Sequence, residues 1–336
     1  MLRVHYRFRE RRRYSVTTLQ VLLAGICMAL SGCGDGGESA GVKNSEEPAS
    51  DFPVSISTVL GETVINEPPE RVITLIDDEF VIALGVVPVA MSRAPTPAGV
   101  SDTMAEALGD EKPILLDVSA GWPYEQLAEL EPDLIIGGIT RQDYDQLAAI
   151  APTLPYEESS TTESWQQRQR TVGRALGRSQ EAEQLVESVE AQIARVAESV
   201  PRGLRDKSFS IAFAHQQGAV SVIRDPNEAA ARLLAEIGLT LAPESEALTN
   251  PDGSGRVTLN LESLDKLRAD VIFVSGVDEA LVDQVTENPV FEAMLADNPG
   301  TTVVVLPLPL LMPLVRPSAL TAKQVLTEVV GLWDNA

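Results

Sequence analysis

The sequence predicts an α/β protein of two lobes, each built on a parallel sheet, joined by a long interdomain helix. Three observations predict this class: apolar β-branched runs alternate with amphipathic stretches, one phrase occurs twice, and a long helical stretch separates its copies. Strand–helix alternation favours parallel sheets covered by helices, so each lobe is expected to be Rossmann-like. A chain of 336 residues can bury two such cores.

The predicted elements follow the apolar periodicity. Strands are predicted over residues 72–76, 87–91, 134–137, 209–214, 271–275 and 302–306. Helices are predicted over residues 80–84, 124–130, 143–150, 228–237, 262–267 and 318–332, and residues 307–317 are predicted to form a loop.

The repeated phrase supports two related lobes. It is a glutamate, two leucines three residues apart, and an aspartate that precedes a buried strand. Its two copies are Glu125-x-Leu127-x-x-Leu130-x-x-Asp133 and Glu262-x-Leu264-x-x-Leu267-x-x-Asp270. The leucine spacing forms one helix face, and the aspartate lies in the turn before the strand.

The stretch between the copies, residues 163–200, is predicted to be the connecting helix. Ser160 and Glu163 have capping-box spacing, an apolar stripe follows, Gly177 indicates a break, and Pro201 ends the helix. The predicted organisation is a signal peptide (1–32), a flexible tether (33–53), an N-terminal lobe (54–162), this helix, and a C-terminal lobe (201–336).

The N-terminus is predicted to direct export and lipidation. Arginines precede an apolar run of about 15 residues, which is shorter than the ~20 that a spanning helix needs. The run ends in Leu30-Ser31-Gly32-Cys33, which resembles a bacterial lipobox, and the resemblance implies diacylation of Cys33 after cleavage. We therefore expect a domain anchored by lipid on the extracytoplasmic face of the cell membrane.

Composition excludes several classes of function. Residues 1–32 hold six arginines and one glutamate, so the remainder carries 20 Lys+Arg against 48 Asp+Glu, and nucleic-acid binding is not expected. Both cysteines lie before residue 34 and His215 is the only histidine of the body, so no intrinsic metal site or cofactor is expected. Nucleophile-elbow and phosphate-loop motifs are missing from the sequence, and we do not expect an enzyme.

An ordered set of short phrases resembles the class III substrate-binding proteins of ABC importers, the iron-siderophore and cobalamin family. The phrases span about residues 54–333 and are found at residues 61–64, 69–72, 83–89, 130–135, 150–153, 234–239 and 288–291. The resemblance implies two lobes, a rigid connecting helix, and a ligand held between the lobes. It also implies a monomer that serves an ABC permease and its ATPase, with Glu125 and Glu262 docking on permease arginines.

The cargo that fits best is a ferric siderophore, with iron carried inside the ligand. Loops after the predicted strands should line the cleft, and arginines there suit anionic oxygen donors, while aromatic rings add flat contact area. The candidate ligand-binding residues are Arg93, Trp122, Tyr124, Arg141, His215, Arg224 and Arg316. Haem or cobalamin binding by the same fold, and a lipoprotein without a transport role, remain alternatives; haem would require His215 or a tyrosine as axial ligand.

Overall fold

The computed structural model describes residues 52–58, 60–94, 96–156, 163–250 and 253–333. The predicted signal peptide, Cys33, the tether up to residue 51 and Ser160 lie outside these residues. Within the described residues, no helix is long and apolar enough to cross a membrane.

The N-terminal half contains a five-stranded sheet in which all strands are parallel. An antiparallel hairpin precedes the sheet, formed by β1 (Val54–Thr58) and β2 (Gly61–Ile65). The sheet strands are β3 (Val72–Leu75), β4 (Ala90–Ser92), β5 (Ile114–Leu116), β6 (Leu134–Gly138) and β7 (Thr153–Tyr156). Their order is β5-β4-β3-β6-β7, so β3 is central and its four residues are all buried.

Four short helices connect these strands. They are α1 (Asp78–Ile82), α2 (Asp102–Leu108), α3 (Tyr124–Glu129) and α4 (Arg141–Ala148). Because parallel strands need crossover connections, this alternation places every strand's carboxyl end at the same edge of the sheet. The parallel sheet predicted for the first half is confirmed.

Two helices occupy the connecting stretch. They are α5 (Trp165–Ala175) and α6 (Ser179–Ser199), and they are separated at Gly177, whose φ of 68° favours glycine. The α5 capping box is formed by Ser164 and Gln167.

The helix α6 packs against both hydrophobic cores. Near its start, Ala182 belongs to the core of the N-terminal half, together with Val172 of α5. Further along, Val186 and Ile193 belong to the core of the C-terminal half. Each fully buried valine or isoleucine contributes roughly 1.5–3 kcal/mol, so this helix is a stable brace between the halves.

The C-terminal half has a mixed sheet rather than the parallel one predicted. Its strands are β8 (Ser208–Gln216), β9 (Ala219–Ile223), β10 (Thr240–Leu241), β11 (Arg256–Asn260), β12 (Val271–Gly276) and β13 (Thr302–Val305). The order is β11-β9-β8-β12-β13, with β10 beside the start of β8. Strands β8, β10, β12 and β13 are parallel, whereas β9 runs antiparallel to β8 and β11 runs antiparallel to β9.

A tight turn explains why β9 is antiparallel. Only two residues separate β8 from β9, and Gly218 among them has a φ of 79°. A connection this short joins only antiparallel neighbours, and the positive φ requires glycine.

The helices of the C-terminal half complete the fold. They are α7 (Ala229–Ala235), α8 (Pro243–Glu246), a 3-10 helix (Leu261–Leu267), α9 (Glu279–Thr286), α10 (Pro289–Asp297), α11 (Leu308–Val315) and α12 (Ala322–Trp333). The loop predicted over 307–317 is therefore wrong. Pro309 lies in the first turn of α11, where a missing amide hydrogen breaks no helical hydrogen bond.

The aspartate of the repeated phrase makes equivalent hydrogen bonds in both halves. Asp133 accepts hydrogen bonds from the backbone amides of Glu70 and Arg71, just before β3. Asp270 accepts one from the backbone amide of Ser208, at the start of β8. Each aspartate therefore fixes the strand that follows it to its parallel neighbour, β6 to β3 and β12 to β8.

Candidate functional site

The carboxyl edge of the N-terminal sheet faces the segment that joins α11 to α12 in the C-terminal half. Glu79 of α1 accepts hydrogen bonds from the hydroxyls of Ser318 and Thr321. Leu320 packs against an N-terminal cluster that includes Ile82 and Met104. The two halves therefore meet beside the end of β3.

A buried ion pair lies directly after β3. The carboxylate of Asp77 accepts a hydrogen bond from Nε of Arg168 at 2.8 Å and a second from its Nη2. Both side chains are buried, and the guanidinium lies 4.8 Å from the ring centroid of Tyr156, at the end of β7. Both of these guanidinium nitrogens donate to the same carboxylate oxygen, Oδ2, and this pair together with the cation–π contact stabilises two charges that burial would otherwise disfavour.

The next two acids are held largely uncharged or hydrogen-bonded. Burial raises the pKa of Asp78 to about 7, with the charges of Asp77 and Glu79 adding to the rise and a hydrogen bond from Thr74 opposing it. Burial also raises the pKa of Glu79, against the hydrogen bonds from the C-terminal half. Burial therefore favours the protonated form of Asp78 and of Glu79, while Asp77 is paired with Arg168.

Four predicted ligand-binding residues lie at the carboxyl edge of the N-terminal sheet. Arg93 follows β4 and is exposed, and Arg141 is the exposed first residue of α4, after β6. Trp122 is half-buried against the core beneath α3. Tyr124 donates a hydrogen bond from its hydroxyl to Asp143 at 2.7 Å, and burial together with that partner raises its pKa to about 12.

Two further predicted residues, His215 and Arg316, belong to the C-terminal half. His215 is exposed near the end of β8, and its ring centroid lies 5.6 Å from that of Phe213. Arg316 follows α11. Desolvation lowers the pKa of its guanidinium, and electrostatic interactions with Tyr156 and Asp77 partly oppose this effect. Arg316 therefore reaches the N-terminal carboxyl edge electrostatically, across the junction.

Arg224 does not lie with the others. It follows β9, and because β9 is antiparallel to β8, its carboxyl end lies toward the amino ends of the parallel strands. Ala212 pairs with Val222, so Arg224 lies at the level of Ser210, five residues or roughly 17 Å from the level of His215 and toward the amino end of β8. Its Nε donates to the carbonyl of Leu248. The direction of β9 thus places Arg224 at the other edge of the sheet from His215, and its role in ligand binding stays a prediction.

The acids and arginine beside β3 were missed from the sequence. A signal was present, since Asp77, Asp78 and Glu79 directly follow a run of buried strand residues, where the loops of a parallel sheet line a ligand site. Arg168 gave no comparable signal, because it lies inside the helical stretch. Within the described residues, no group of three or more His, Cys, Asp or Glu side chains could hold a metal ion.

The two glutamates of the repeated phrase are both exposed. Glu125 is the second residue of α3, and Glu262 is the second residue of the 3-10 helix. The local structure differs, because Ser263 departs from helical geometry in the second copy.

Two α/β halves that meet beside the carboxyl end of β3, braced by a helix packed into both cores, are the architecture of a solute-binding protein. The model of the family described as "Periplasmic binding protein" matches residues 73–298 of the chain. The chain belongs to this family.

Individual relatives agree with that membership. The chain is 28% identical over 184 residues to the "Probable siderophore-binding lipoprotein YfiY" of Bacillus subtilis, a match that covers 53% of this chain and 54% of that protein. The match thus spans about half the length of this curated relative.

Solved structures extend the likeness over most of the chain. PiaA of Streptococcus pneumoniae, crystallised in complex with ferrichrome, superposes with a TM-score of 0.72 at 25% identity, over 84% of this chain and 97% of that chain. SirA of Staphylococcus aureus, complexed with staphyloferrin B, gives a TM-score of 0.68 at 21% identity, over 84% of this chain and 98% of that chain. The latter likeness concerns the fold alone.

Proposed function

We propose that this chain captures a ferric siderophore in the groove between its halves and delivers it to an ABC permease driven by its ATPase. The observation that supports the proposal is that Arg93 and Arg141 follow parallel strands of the N-terminal sheet, while Arg316 of the C-terminal half interacts electrostatically with Asp77 and Tyr156 at the ends of two of those strands. The likeness to YfiY, described as a probable siderophore-binding lipoprotein, and to PiaA, crystallised with ferrichrome, supports a siderophore as the cargo.

Electrostatics favour an anionic, oxygen-rich ligand in this groove. The protein as a whole is strongly acidic, but Asp77 is paired with Arg168, Glu79 accepts a hydrogen bond from Ser318, and burial raises the pKa of Asp78 to about 7. These interactions weaken the negative field of the acids beside β3, and guanidinium groups bind carboxylate or other anionic oxygens in a two-pronged way.

Iron should arrive already chelated. The described residues offer no cluster of three metal-ligating side chains, so the ligand supplies the donor atoms and the protein recognises the complex. Such a protein binds and releases its cargo without chemical change, and we propose no enzymatic activity.

Attachment and docking complete the proposal. Cys33 carries the lipid anchor and holds the domain, as a monomer, on the extracytoplasmic face of the membrane. Glu125 and Glu262 dock on permease arginines, one from each half, which fixes the orientation of the complex.

Transport and binding should separate in one experiment. The double variant Glu125→Ala plus Glu262→Ala should bind ferric siderophore as wild type does, while uptake of iron-55-labelled siderophore by cells falls to background. The matched control replaces two other exposed glutamates, Glu106 of α2 and Glu181 of α6, and should support full uptake. Full uptake by the first double variant would overturn the docking assignment and leave the cargo assignment intact.

A further inference from the structure

Ile76 has an unusual backbone conformation at the end of the central strand β3. Its φ is 81°, in the left-handed region. Two other described non-glycine residues, Glu131 and Asp206, also have a positive φ, but neither of them is β-branched. For a β-branched side chain this conformation is a genuine outlier, because Cβ crowds the following carbonyl. Strain of this kind persists only where the surroundings impose it, and it concentrates at binding sites.

The neighbouring contacts impose this conformation. On one side, Leu75 is fully buried in β3. On the other side, Asp77 pairs with Arg168 and Asp78 accepts a hydrogen bond from Thr74. The backbone therefore turns sharply at Ile76, so that both acids point into the protein while the isoleucine side chain is 41% exposed.

Two glycines of β6 allow the turn. A Cβ on Gly137 would lie 1.9 Å from the carbonyl oxygen of Leu75, so β6 must carry glycine there for β3 to approach. A Cβ on Gly138 would lie 3.7 Å from Cδ1 of Ile76, so the isoleucine lies over the carboxyl end of β6. The side chain is thus held at a defined position rather than projecting freely.

A glycine at position 76 would form the same turn without strain, yet the chain has a large apolar side chain there. The position is the carboxyl end of the central strand, beside the junction with the C-terminal half. The C-terminal half has a similar feature, since Val277 directly follows the interior strand β12 and is 48% exposed. Both halves therefore present an exposed aliphatic side chain where ligand-lining loops begin.

Resting on the function proposed above, we propose that Ile76 is a specificity-determining residue that contacts the hydrocarbon part of the bound cargo. The arginines at the groove edge bind anionic oxygens, and Ile76 covers the aliphatic portion that connects the metal-binding groups. Such a site favours siderophores with aliphatic backbones.

The test exploits opposite effects on stability and binding. Ile76→Gly should unfold at a temperature no lower than wild type, because it relieves the strained conformation, yet its Kd for ferrichrome or ferric staphyloferrin B should rise about tenfold through lost apolar contact. Ile76→Val, which keeps the branched side chain, should restore binding to within about threefold of wild type.

A matched control comes from Ile114 of β5, which is 44% exposed and lies at the opposite, amino end of its strand with an ordinary φ. Ile114→Gly should lower the unfolding temperature and leave the Kd unchanged. Wild-type binding by Ile76→Gly would overturn the role of Ile76 while leaving the proposed function standing. Wild-type protein that binds neither these probes nor any other ferric siderophore would overturn the proposed function, and the role of Ile76 would fall with it.

Discussion

Asp78→Asn should stabilise the protein above neutral pH and leave its stability unchanged in acid. Asp78 is buried and accepts a hydrogen bond from Thr74, and burial raises its pKa to about 7 from an ordinary value of 3.8. Asparagine has nearly the same shape and retains an oxygen that accepts this hydrogen bond. The substitution therefore removes the ionisation and little else.

The sign follows from the protonation of the two states. Below about pH 4 the carboxyl is protonated in both the folded and the unfolded chain, so it causes no penalty. Between about pH 4 and pH 7 the unfolded chain ionises while the folded chain stays protonated, and the folded state loses relative stability as pH rises. At ~1.4 kcal/mol per pH unit, the penalty reaches about 4 kcal/mol above pH 7.

The assay is urea unfolding of wild type and Asp78→Asn between pH 4 and pH 8.5, followed by circular dichroism. The difference in free energy of unfolding should grow with pH and level off above pH 7. The control Asp110→Asn replaces an exposed aspartate and should stay within about 0.5 kcal/mol of wild type at every pH. A difference for Asp78→Asn that does not change with pH would refute the assignment of a buried, protonated carboxyl.

Three further substitutions test the site. Gly137→Ala should destabilise the protein by more than about 4 kcal/mol in urea unfolding, because the new Cβ would lie 1.9 Å from a β3 carbonyl oxygen. Asp77→Asn should lower the free energy of unfolding by about 3–5 kcal/mol at pH 7, because it leaves the buried guanidinium of Arg168 without a counter-charge. Ferric siderophore should quench intrinsic fluorescence through Trp122, so Trp122→Phe should bind with a much smaller fluorescence change.

Controls make these outcomes decisive. The Cβ that Gly331→Ala adds in α12 would have no atom of another element within 4 Å, so this substitution should raise stability by at most about 1 kcal/mol. Glu183→Gln breaks an exposed ion pair with Arg170 and should cost less than about 1 kcal/mol. If Gly137→Ala behaved like Gly331→Ala, the close approach of β6 to β3 would not hold the site together. If Asp77→Asn behaved like Glu183→Gln, the same would be true of the buried ion pair. A full-size signal from Trp122→Phe would count against Trp122 as the reporter.

The general architecture was predictable because apolar periodicity and the repeated phrase reflect local physics. The two aspartates of the phrase, Asp133 and Asp270, both fix a buried strand to its neighbour, which is why the same residues recur in both halves. The direction of β9 was not recognised, although Gly218 between two apolar runs is the signal of a tight hairpin. That direction places Arg224 at the other edge of the sheet from His215.

The centre of the site was harder to predict because its partners are distant in sequence. The pairing of Asp77 with Arg168 joins residues 91 positions apart, and no local pattern encodes it. Likewise, the hydrogen bond between Ser318 and Glu79 depends on how the two halves pack. The strain at Ile76 depends on tertiary contacts too, since the sequence alone would favour glycine or asparagine for a positive φ.

The most direct test of the central claim is a calorimetric titration of the purified mature domain with a panel of ferric siderophores, their iron-free forms, haem and cobalamin. The account predicts saturable binding of one equivalent of at least one ferric siderophore, weaker binding of its iron-free form, and a large loss of affinity in Arg316→Ala. Binding of haem or cobalamin alone, or of no member of the panel, would contradict it.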